Sequence, residues 1–326
     1  MAHPFPADLD RPDSAWNRIA ARGDHGDPFC CRTEWQFSFH EAFEPRRRLH
    51  FRSRGDSVIG FAERRDARFG RLLEPIESHW MFGCPLLGPD APALLAALGD
   101  ELGADGDPPT PIVSGVQPES ELGWQLIDAF RARYRIFAFE PTVLRSASLA
   151  GGLDGYLSRR SGSWRRNLRA QGRRAAAAGV RFERHAPTTS AAVDAIYARI
   201  LAVEATSWKG IGNCGMAEPP SRQFYGLMLR RLSASGGGRV MFARHGDRDI
   251  GFVFGGLAGR TYRGQQFSYA DDWAPFSIGN LLQVEQLRWL TEEGVERYDM
   301  GPAMDYKRHW TEVETRIDTL LLQPRG

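Results

Sequence analysis

The stretch from Tyr262 to Trp310 limits the possible folds most strongly, because strand, turn and helix signals follow one another in it without interruption. It opens with a segment rich in β-forming residues that ends at the acidic pair Asp271 and Asp272. The Ala-Pro-Phe sequence at 274–276 then predicts a turn. We therefore expect a strand over 260–269, followed by a turn and a helix.

The helix expected from Ser277 onwards has apolar side chains at the spacing of one buried face. Gly294 follows its last turn, where glycine favours the left-handed conformation that ends many helices. The alternating segment 295–300 predicts a second strand that ends at Gly301, and a turn follows at 306–308. Strand, helix and strand in this order are typical of an α/β protein.

The start of this helix suits an anion. Its first backbone N–H groups have no partner within the helix, and the helix dipole is positive at this end. Gly279 lets a ligand approach the backbone closely, which a diphosphate requires. The residues that would form such a site are Ser277, Ile278, Gly279 and Asn280. An ordinary N-cap explains the same residues equally well.

Four features of the stretch occur together in one known group of proteins. They are Ser277-Ile278-Gly279 at the helix start, Gly294 at its end, Asp299-Met300-Gly301 at the strand end and the pair Tyr306-Lys307. As a set they resemble the acetyltransferase-like domain of the Fem-type and cellulose-biosynthesis-type branches of the GNAT (GCN5-related N-acetyltransferase) superfamily. The resemblance covers roughly residues 150 to 322. Ile278 replaces the usual proline, and the loop with several glycines is absent.

The length of 326 residues and a hydrophobic content of 42% are sufficient for two domains with real cores. Residues before 150 mix helix and antiparallel strand patterns and contain no compact polar motif. Fem-type proteins have two GNAT-like lobes, so the resemblance implies an α/β fold with a mixed sheet in two such lobes. We expect a degenerate lobe over 1–149 and a better-defined acyltransferase lobe over 150–326.

Composition excludes several classes of function. A formal net charge of +2 does not indicate a protein that binds polyanions over its whole surface. The four cysteines have no CxxC spacing and no neighbouring histidine pair, so we expect no metal site and no disulfide framework. The sequence has no membrane-spanning apolar run and no secretory signal at its start, which predicts a cytoplasmic protein. Its richness in Ala, Arg and Gly is typical of GC-rich bacterial genes.

A strongly basic segment is predicted as one long helix over 153–178. No acidic residue lies between Asp154 and Glu183 to balance its charge. Its arginines are Arg159, Arg160, Arg165, Arg166, Arg169, Arg173 and Arg174. Three explanations remain open: a solvated helix face, a site for phosphates of a cofactor or acidic substrate, or a contact with nucleic acid.

Acyl transfer to an amine needs a proton acceptor, donors for the oxyanion and a positioned acyl donor. Glu204, Asp299 and Asp305 are candidate bases, although each can equally be a cap or an ion-pair partner. By resemblance, Lys307 contacts the donor or the oxyanion, and Tyr269 protonates the leaving thiolate. The sequence motif from Glu204 to Gly210 also recurs in the family. The residues expected to contact substrate are Trp208, Lys209 and Tyr306.

The resemblance implies an N-acyltransferase that moves an acyl group from acyl-CoA to an amine by direct attack in a ternary complex. Acyl-CoA would be a co-substrate, with no permanently bound cofactor, and the acceptor a small amine or a peptide. An alternative is a Fem-type transferase that uses aminoacyl-tRNA, with the basic helix on the tRNA. Another is a GNAT-like protein that only binds a partner. DNA binding is not expected.

Overall fold

The structure is a computed structural model that describes residues 5–22, 25–212 and 214–325. The chain forms two compact units. Unit 1 contains the described residues up to Leu144 together with those from Thr315 onwards, and unit 2 is Arg145–Glu314. None of the helices within the described ranges is both long and apolar enough to cross a membrane.

The elements up to the end of the seventh strand follow in chain order. They are α1 Ala15–Ala20, α2 Thr33–Phe43, β1 Arg48–Arg54, β2 Ser57–Asp66, β3 Gly70–Pro75, β4 Leu86–Leu87, α3 Ala91–Leu102, β5 Thr110–Val116, α4 Glu121–Phe130, β6 Tyr134–Ala138 and β7 Thr142–Ser148. Polar caps define two of the helices: the hydroxyl of Ser14 accepts from Asn17 N, and that of Ser120 accepts from Gly123 N.

The later elements complete the chain. They are α5 Gly152–Ser158, α6 Gly162–Ala177, β8 Val180–His185, α7 Ser190–Ala205, α8 Trp208–Ile211, α9 Ser221–Ala234, β9 Gly238–His245, β10 Arg248–Ala258, β11 Thr261–Tyr269, α10 Ile278–Glu292, β12 Arg297–Pro302 and β13 Val313–Pro324. Two 3-10 helices, Asp271–Phe276 and Asp305–His309, precede α10 and follow β12. The mixed α/β fold predicted from the sequence is confirmed.

In unit 1, β1, β2 and β3 pair antiparallel, and β5 then returns parallel to β3 after α3. The parallel pairing is short, with only Leu72↔Thr110 and Leu73↔Pro111 in register. The same order recurs in unit 2, where β9, β10 and β11 pair antiparallel and β12 returns parallel to β11 after α10. Each unit therefore contains a β-β-β-α-β pattern with one parallel pair.

In unit 2 the parallel strands β11 and β12 pair for only part of their length. The register pairs are Thr261↔Arg297, Tyr262↔Tyr298 and Arg263↔Asp299. Beyond Arg263 the two strands no longer pair, although β11 continues to Tyr269 and β12 to Pro302. A bulge in the β10–β11 register follows directly. The edge of β11 over 264–269 is consequently open on the side of β12.

The predicted helix over 153–178 is wrong in one respect, because two helices, α5 and α6, occupy that segment. The hydroxyl of Ser161 accepts a hydrogen bond from Trp164 N and caps α6. Similarly, the apolar pattern of 191–208 predicts one helix, but α7 ends at Ala205, and the hydroxyl of Ser207 caps the short α8. In both places a serine hydroxyl satisfies free N–H groups at a new helix start, which the apolar pattern does not reveal.

The compact units differ from the predicted lobes of 1–149 and 150–326 at the C-terminus. Residues from Thr315 onwards belong to unit 1, because Leu320 and its neighbours in β13 pair antiparallel with both β5 and β6. The sequence of 317–322 predicts the strand itself, but its partners are not visible in the local sequence. Strand partners are chosen by tertiary pairing, so the pattern of one strand cannot name them.

Candidate functional site

Three elements converge on the open edge of β11, and the ring of Phe267 lies where they meet. The amine of Lys209 lies 5.4 Å from the centroid of that ring, and the ring of Tyr306 lies 6.2 Å away. A Cβ built on Gly279 would come within 3.3 Å of Cε2 of Phe267. Three predicted site residues from distant parts of the chain are thus brought to one aromatic ring. The sequence analysis missed Phe267 itself.

Lys307 is buried in the 3-10 helix that follows β12. Its Nζ donates to the carbonyl oxygen of Pro302 at 2.7 Å. Burial, together with the nearby charge of Arg263, lowers the pKa of Lys307 to about 8, and the charge of Asp299 opposes the shift. A lone lysine in a turn is ordinarily a solvated charge, but that explanation does not apply to Lys307.

Asp299 lies at the last register pair of β11 and β12, opposite Arg263. Its Oδ1 accepts a hydrogen bond from Gly301 N at 2.6 Å and lies 3.8 Å from Nε of Arg263. Both side chains are buried. Gly301 has a φ of +77°, and a Cβ there would lie 2.1 Å from Nη1 of Arg263. The Asp-x-Gly sequence therefore accommodates a guanidinium, and Arg263 is a second residue that the sequence analysis missed.

Glu204 is fully buried at the end of α7. Its Oε1 accepts from Met216 N at 3.1 Å, and a Cβ on Gly215 would lie 2.4 Å from the same oxygen. The hydroxyl of Ser207 lies 3.5 Å from its other carboxylate oxygen. Glu204 therefore fixes the segment around 215–216 against the end of α7.

Lys209, in α8, binds the open edge of β11 directly. Its Nζ donates to the carbonyl oxygen of Phe267 at 2.6 Å and to Oε1 of Gln266 at 3.3 Å. Burial lowers the pKa of Lys209, and the charge of Glu204 opposes that shift. Trp208 beside it is 57% exposed, so its ring is available at the surface.

The sequence contains 42 lysine and arginine residues, of which only two, Lys209 and Lys307, are lysines. Both amines are hydrogen-bonded to backbone carbonyls near the ends of β11 and β12. An ammonium is a compact donor that can lose its proton near neutral pH, whereas a guanidinium remains charged. The rarity of lysine is thus a signal in the sequence that could have identified both positions.

The start of α10 has the features of an anion site. The N–H groups of Ile278 and Gly279 have no backbone acceptor in the part of the chain that the structure describes. Ser277 precedes them with a φ of +58° and makes no side-chain cap. The side chain of Ile278 is buried in the core, so only its N–H can contact a ligand. The ring of Tyr269 lies against Gly279, 3.1 Å from the position of a Cβ.

The basic helix α6 lies beside this helix start. Nδ2 of Asn280 lies 3.4 Å from Oε1 of Gln171, and Arg174 donates to the carbonyl oxygen of Pro275. Arg159 and Arg160 pair with Glu312 instead. The remaining exposed arginines, without a hydrogen-bond or ion-pair partner among the described residues, are Arg166, Arg169 and Arg173.

Residues 162–308 match the family model for the acetyltransferase (GNAT) domain. No curated protein matches the chain. Among solved structures, FemX is similar with a TM-score of 0.62 and 10% identity over 93% of this chain and 94% of FemX. L-PGS from Bacillus licheniformis has a TM-score of 0.57 and 15% identity over 94% of each chain.

A conserved protein of unknown function from Bacteroides thetaiotaomicron has a TM-score of 0.60 and 12% identity, over 89% of this chain and 90% of that protein. At these identities the likenesses show the fold alone. The family match indicates a GNAT-type domain within residues 162–308. No group of His, Cys, Asp and Glu side chains able to hold a metal ion occurs in the described ranges.

Proposed function

We propose that the protein is an N-acyltransferase that takes its acyl group from acyl-CoA. The observation that carries the proposal is the open edge of β11, which leads to the unpaired N–H groups at the start of α10. The pantetheine chain of CoA contains amides that can pair with a strand edge. Its diphosphate suits a helix N-terminus, where free N–H groups and the dipole favour negative charge.

In the proposed reaction the acceptor amine attacks the thioester carbonyl carbon, a C–N bond forms, and the C–S bond breaks. The ammonium of Lys307 donates to the oxyanion that develops on the carbonyl oxygen. The amine proton passes to Asp299, which lies on the strand that flanks the open edge. Tyr269, beside the start of α10, gives a proton to the leaving thiolate. Glu204 takes no part in these proton transfers and holds the segment 215–216 against the end of α7.

Lys209, Trp208 and Tyr306 are proposed to contact the substrates. Lys209 binds the β11 edge beside Phe267, and the Tyr306 ring faces the same ring. The exposed ring of Trp208 can cover an acceptor at the surface. The rings of Phe267, Tyr306 and Trp208 offer an acceptor aromatic contacts. Such contacts suit a small amine or a peptide terminus better than a polyanion.

A second candidate is a transferase that uses an aminoacyl-tRNA. The observation that favours it is the stripe formed by Arg166, Arg169 and Arg173, which lie on one face of α6 without ion-pair partners in the described structure. A solvated row of cations fits a phosphate backbone. The structural likeness to FemX and to L-PGS is compatible with either donor.

The two donors are distinguished by calorimetry with CoA and acetyl-CoA. Replacing Asn280 by Glu adds a negative charge at the exposed start of α10, which should repel a diphosphate and weaken CoA binding about tenfold or more. The matched control is Thr291→Glu, which adds the same charge in the last turn of α10 and should leave CoA binding unchanged.

Absence of CoA binding by the unmodified protein, with tRNA retention that weakens steeply as salt rises, would overturn the acyl-CoA proposal. Equal loss of binding in Asn280→Glu and Thr291→Glu would show that the effect is not local to the helix start. Both variants need the same thermal unfolding midpoint as the unmodified chain, measured by circular dichroism, before the binding data are compared.

A further inference from the structure

Arg263 occupies the point at which β11 and β12 stop pairing. Its partner Asp299 belongs to the last register pair of the two strands. The Arg263 side chain is only 5% exposed, and its Nη1 donates to the carbonyl oxygen of Gly264 at 3.2 Å. Burying a guanidinium is costly unless charge and hydrogen bonds compensate it. A purely apolar side chain would fill the same space without that cost.

The guanidinium lies in the space that a side chain at 301 would need. A Cβ on Gly301 would come within 2.1 Å of Nη1 and 2.7 Å of Cζ of Arg263. The N–H of Gly301 donates to Asp299, so both Asp299 and Arg263 contact the chain at Gly301. The planar group therefore lies against both Gly264 of β11 and Gly301 of β12, just beyond the last register pair of the two strands.

The contacts continue from this strand end to the amine of Lys307. Pro302 follows Gly301, and its carbonyl oxygen accepts from Nζ of Lys307 at 2.7 Å. The charged groups that act on this amine are Arg263 from β11 and Asp299 from β12. In the 3-10 helix of Lys307 itself, the side chains of Asp305 and Arg308 are 99% and 68% exposed, so water screens them.

We propose that Arg263 is a positioning residue, which holds the ends of β11 and β12 apart and fixes the carbonyl that orients the amine of Lys307. Arg263 is not expected to touch the reacting atoms. The catalytic consequence rests on the proposed function, in which Lys307 donates to the oxyanion. The effect of Arg263 on the protonation of the Lys307 amine can be measured without any turnover.

The test uses NMR of protein labelled with ¹³C at lysine Cε, whose chemical shift reports protonation of the amine. The chain has only two lysines, so the spectrum contains two signals, and Lys209→Arg assigns the signal of Lys307. In Arg263→Met, which keeps bulk but removes the charge, the titration midpoint of Lys307 should rise by about one pH unit. In Arg263→Lys, which keeps the charge and adds a third lysine signal, the Lys307 midpoint should stay near that of the unmodified chain.

The variant Asp299→Asn should shift the titration midpoint of Lys307 in the opposite direction. The charge of Asp299 favours the ammonium, so its removal should lower the Lys307 midpoint. If Arg263 only fills space, either substitution would let water reach Lys307, and both midpoints would rise toward the ordinary value of lysine. A rise of the Lys307 midpoint in both variants, or an unchanged midpoint in Arg263→Met, would overturn the inference.

A kinetic measurement accompanies the titration if the unmodified protein acylates amines. Arg263→Met should lower kcat about tenfold, with a smaller change in KM for acyl-CoA, and Arg263→Lys should recover part of kcat. Failure of acyl-CoA to react would count against the proposed function and leave the NMR test intact. An Arg263→Met enzyme with unchanged kcat would contradict the positioning role even if acyl transfer is established.

Discussion

At the scale of single residues, the site depends on side chains that combine burial with charge. Lys307 and Arg263 are both buried cations, and Asp299 is the carboxylate that interacts with both. When Lys307 is protonated, the site contains two buried positive charges. Such a site favours a group that becomes negative during the reaction, as a tetrahedral oxyanion does.

The pKa of Lys307 predicts the dependence of the reaction on pH. Because the protonated amine is the proposed oxyanion donor, the rate should fall as pH rises through about 8. Lys307→Arg keeps the charge at all accessible pH values, so its rate should show no fall in that range, even if it is lower throughout. The measurement is kcat against pH with an aromatic amine as acceptor, which is neutral over the whole range.

The matched control for this prediction is Lys209→Arg, which removes the other lysine of the chain. Its rate should keep the fall near pH 8, because Lys307 is unchanged. The assignment to Lys307 would be refuted by an alkaline fall that persists in Lys307→Arg or disappears in Lys209→Arg.

At the scale of elements, the start of α10 has a backbone conformation that its sequence does not favour. Ser277 adopts a φ of +58°, which is costly for any residue with a Cβ, and its side chain does not cap the helix. The strain precedes the two unpaired N–H groups of Ile278 and Gly279. Strained backbone of this kind commonly accompanies a ligand site.

Replacing Ser277 by Gly should therefore stabilise the protein by about 1 kcal/mol, because glycine adopts a positive φ without steric cost. The matched control is Ser161→Gly, where a serine with a φ of −60° caps α6 through its hydroxyl. That change should destabilise the protein by a few tenths of a kcal/mol. The measurement is the free energy of unfolding in urea, and a loss of stability in Ser277→Gly would disprove the strain.

At the scale of the whole molecule, the two units share a β-β-β-α-β pattern but differ at the point where a donor would bind. In unit 1 the hydroxyl of Ser114 donates to Gly83 at 2.5 Å. A Cβ on Gly115 would lie 2.7 Å from Cys84 N. The chain itself therefore packs against the strand that corresponds to β12 of unit 2.

The helix of unit 1 that corresponds to α10 also lacks the features of an anion site. Its N-cap is Asp90, whose carboxylate repels anions, and Pro92 in its first turn has no N–H. We thus expect calorimetry to give one molecule of CoA per chain. A stoichiometry of two would contradict the difference between the units. The Asn280→Glu variant should weaken binding at the single site.

Much of the fold could be predicted from the sequence. The apolar patterns of 91–102 and 180–185, each between turn residues, predict a helix and a strand, and α3 and β8 have these bounds. The helix breaks at Ser161 and Ser207 could not be predicted from the apolar pattern. Each serine hydroxyl caps N–H groups that become free only where a new helix begins.

The prediction of the site was correspondingly uneven. The motifs identified Asp299, Lys307 and Gly279, and the structure brings all three to the region where β11 and β12 part. Phe267 and Arg263 carry no motif, since an aromatic or an arginine in a strand has many ordinary explanations. Their importance follows from contacts with residues that are distant in the chain.

Local sequence thus specified the order of the elements, the glycines at tight backbone positions and the motif residues, because these depend on interactions between near neighbours. The tertiary structure alone established that β13 joins unit 1, that β11 and β12 separate after Arg263, and that Lys307 is buried. Strand pairing and desolvation depend on which distant segments meet. A one-dimensional pattern does not contain that information.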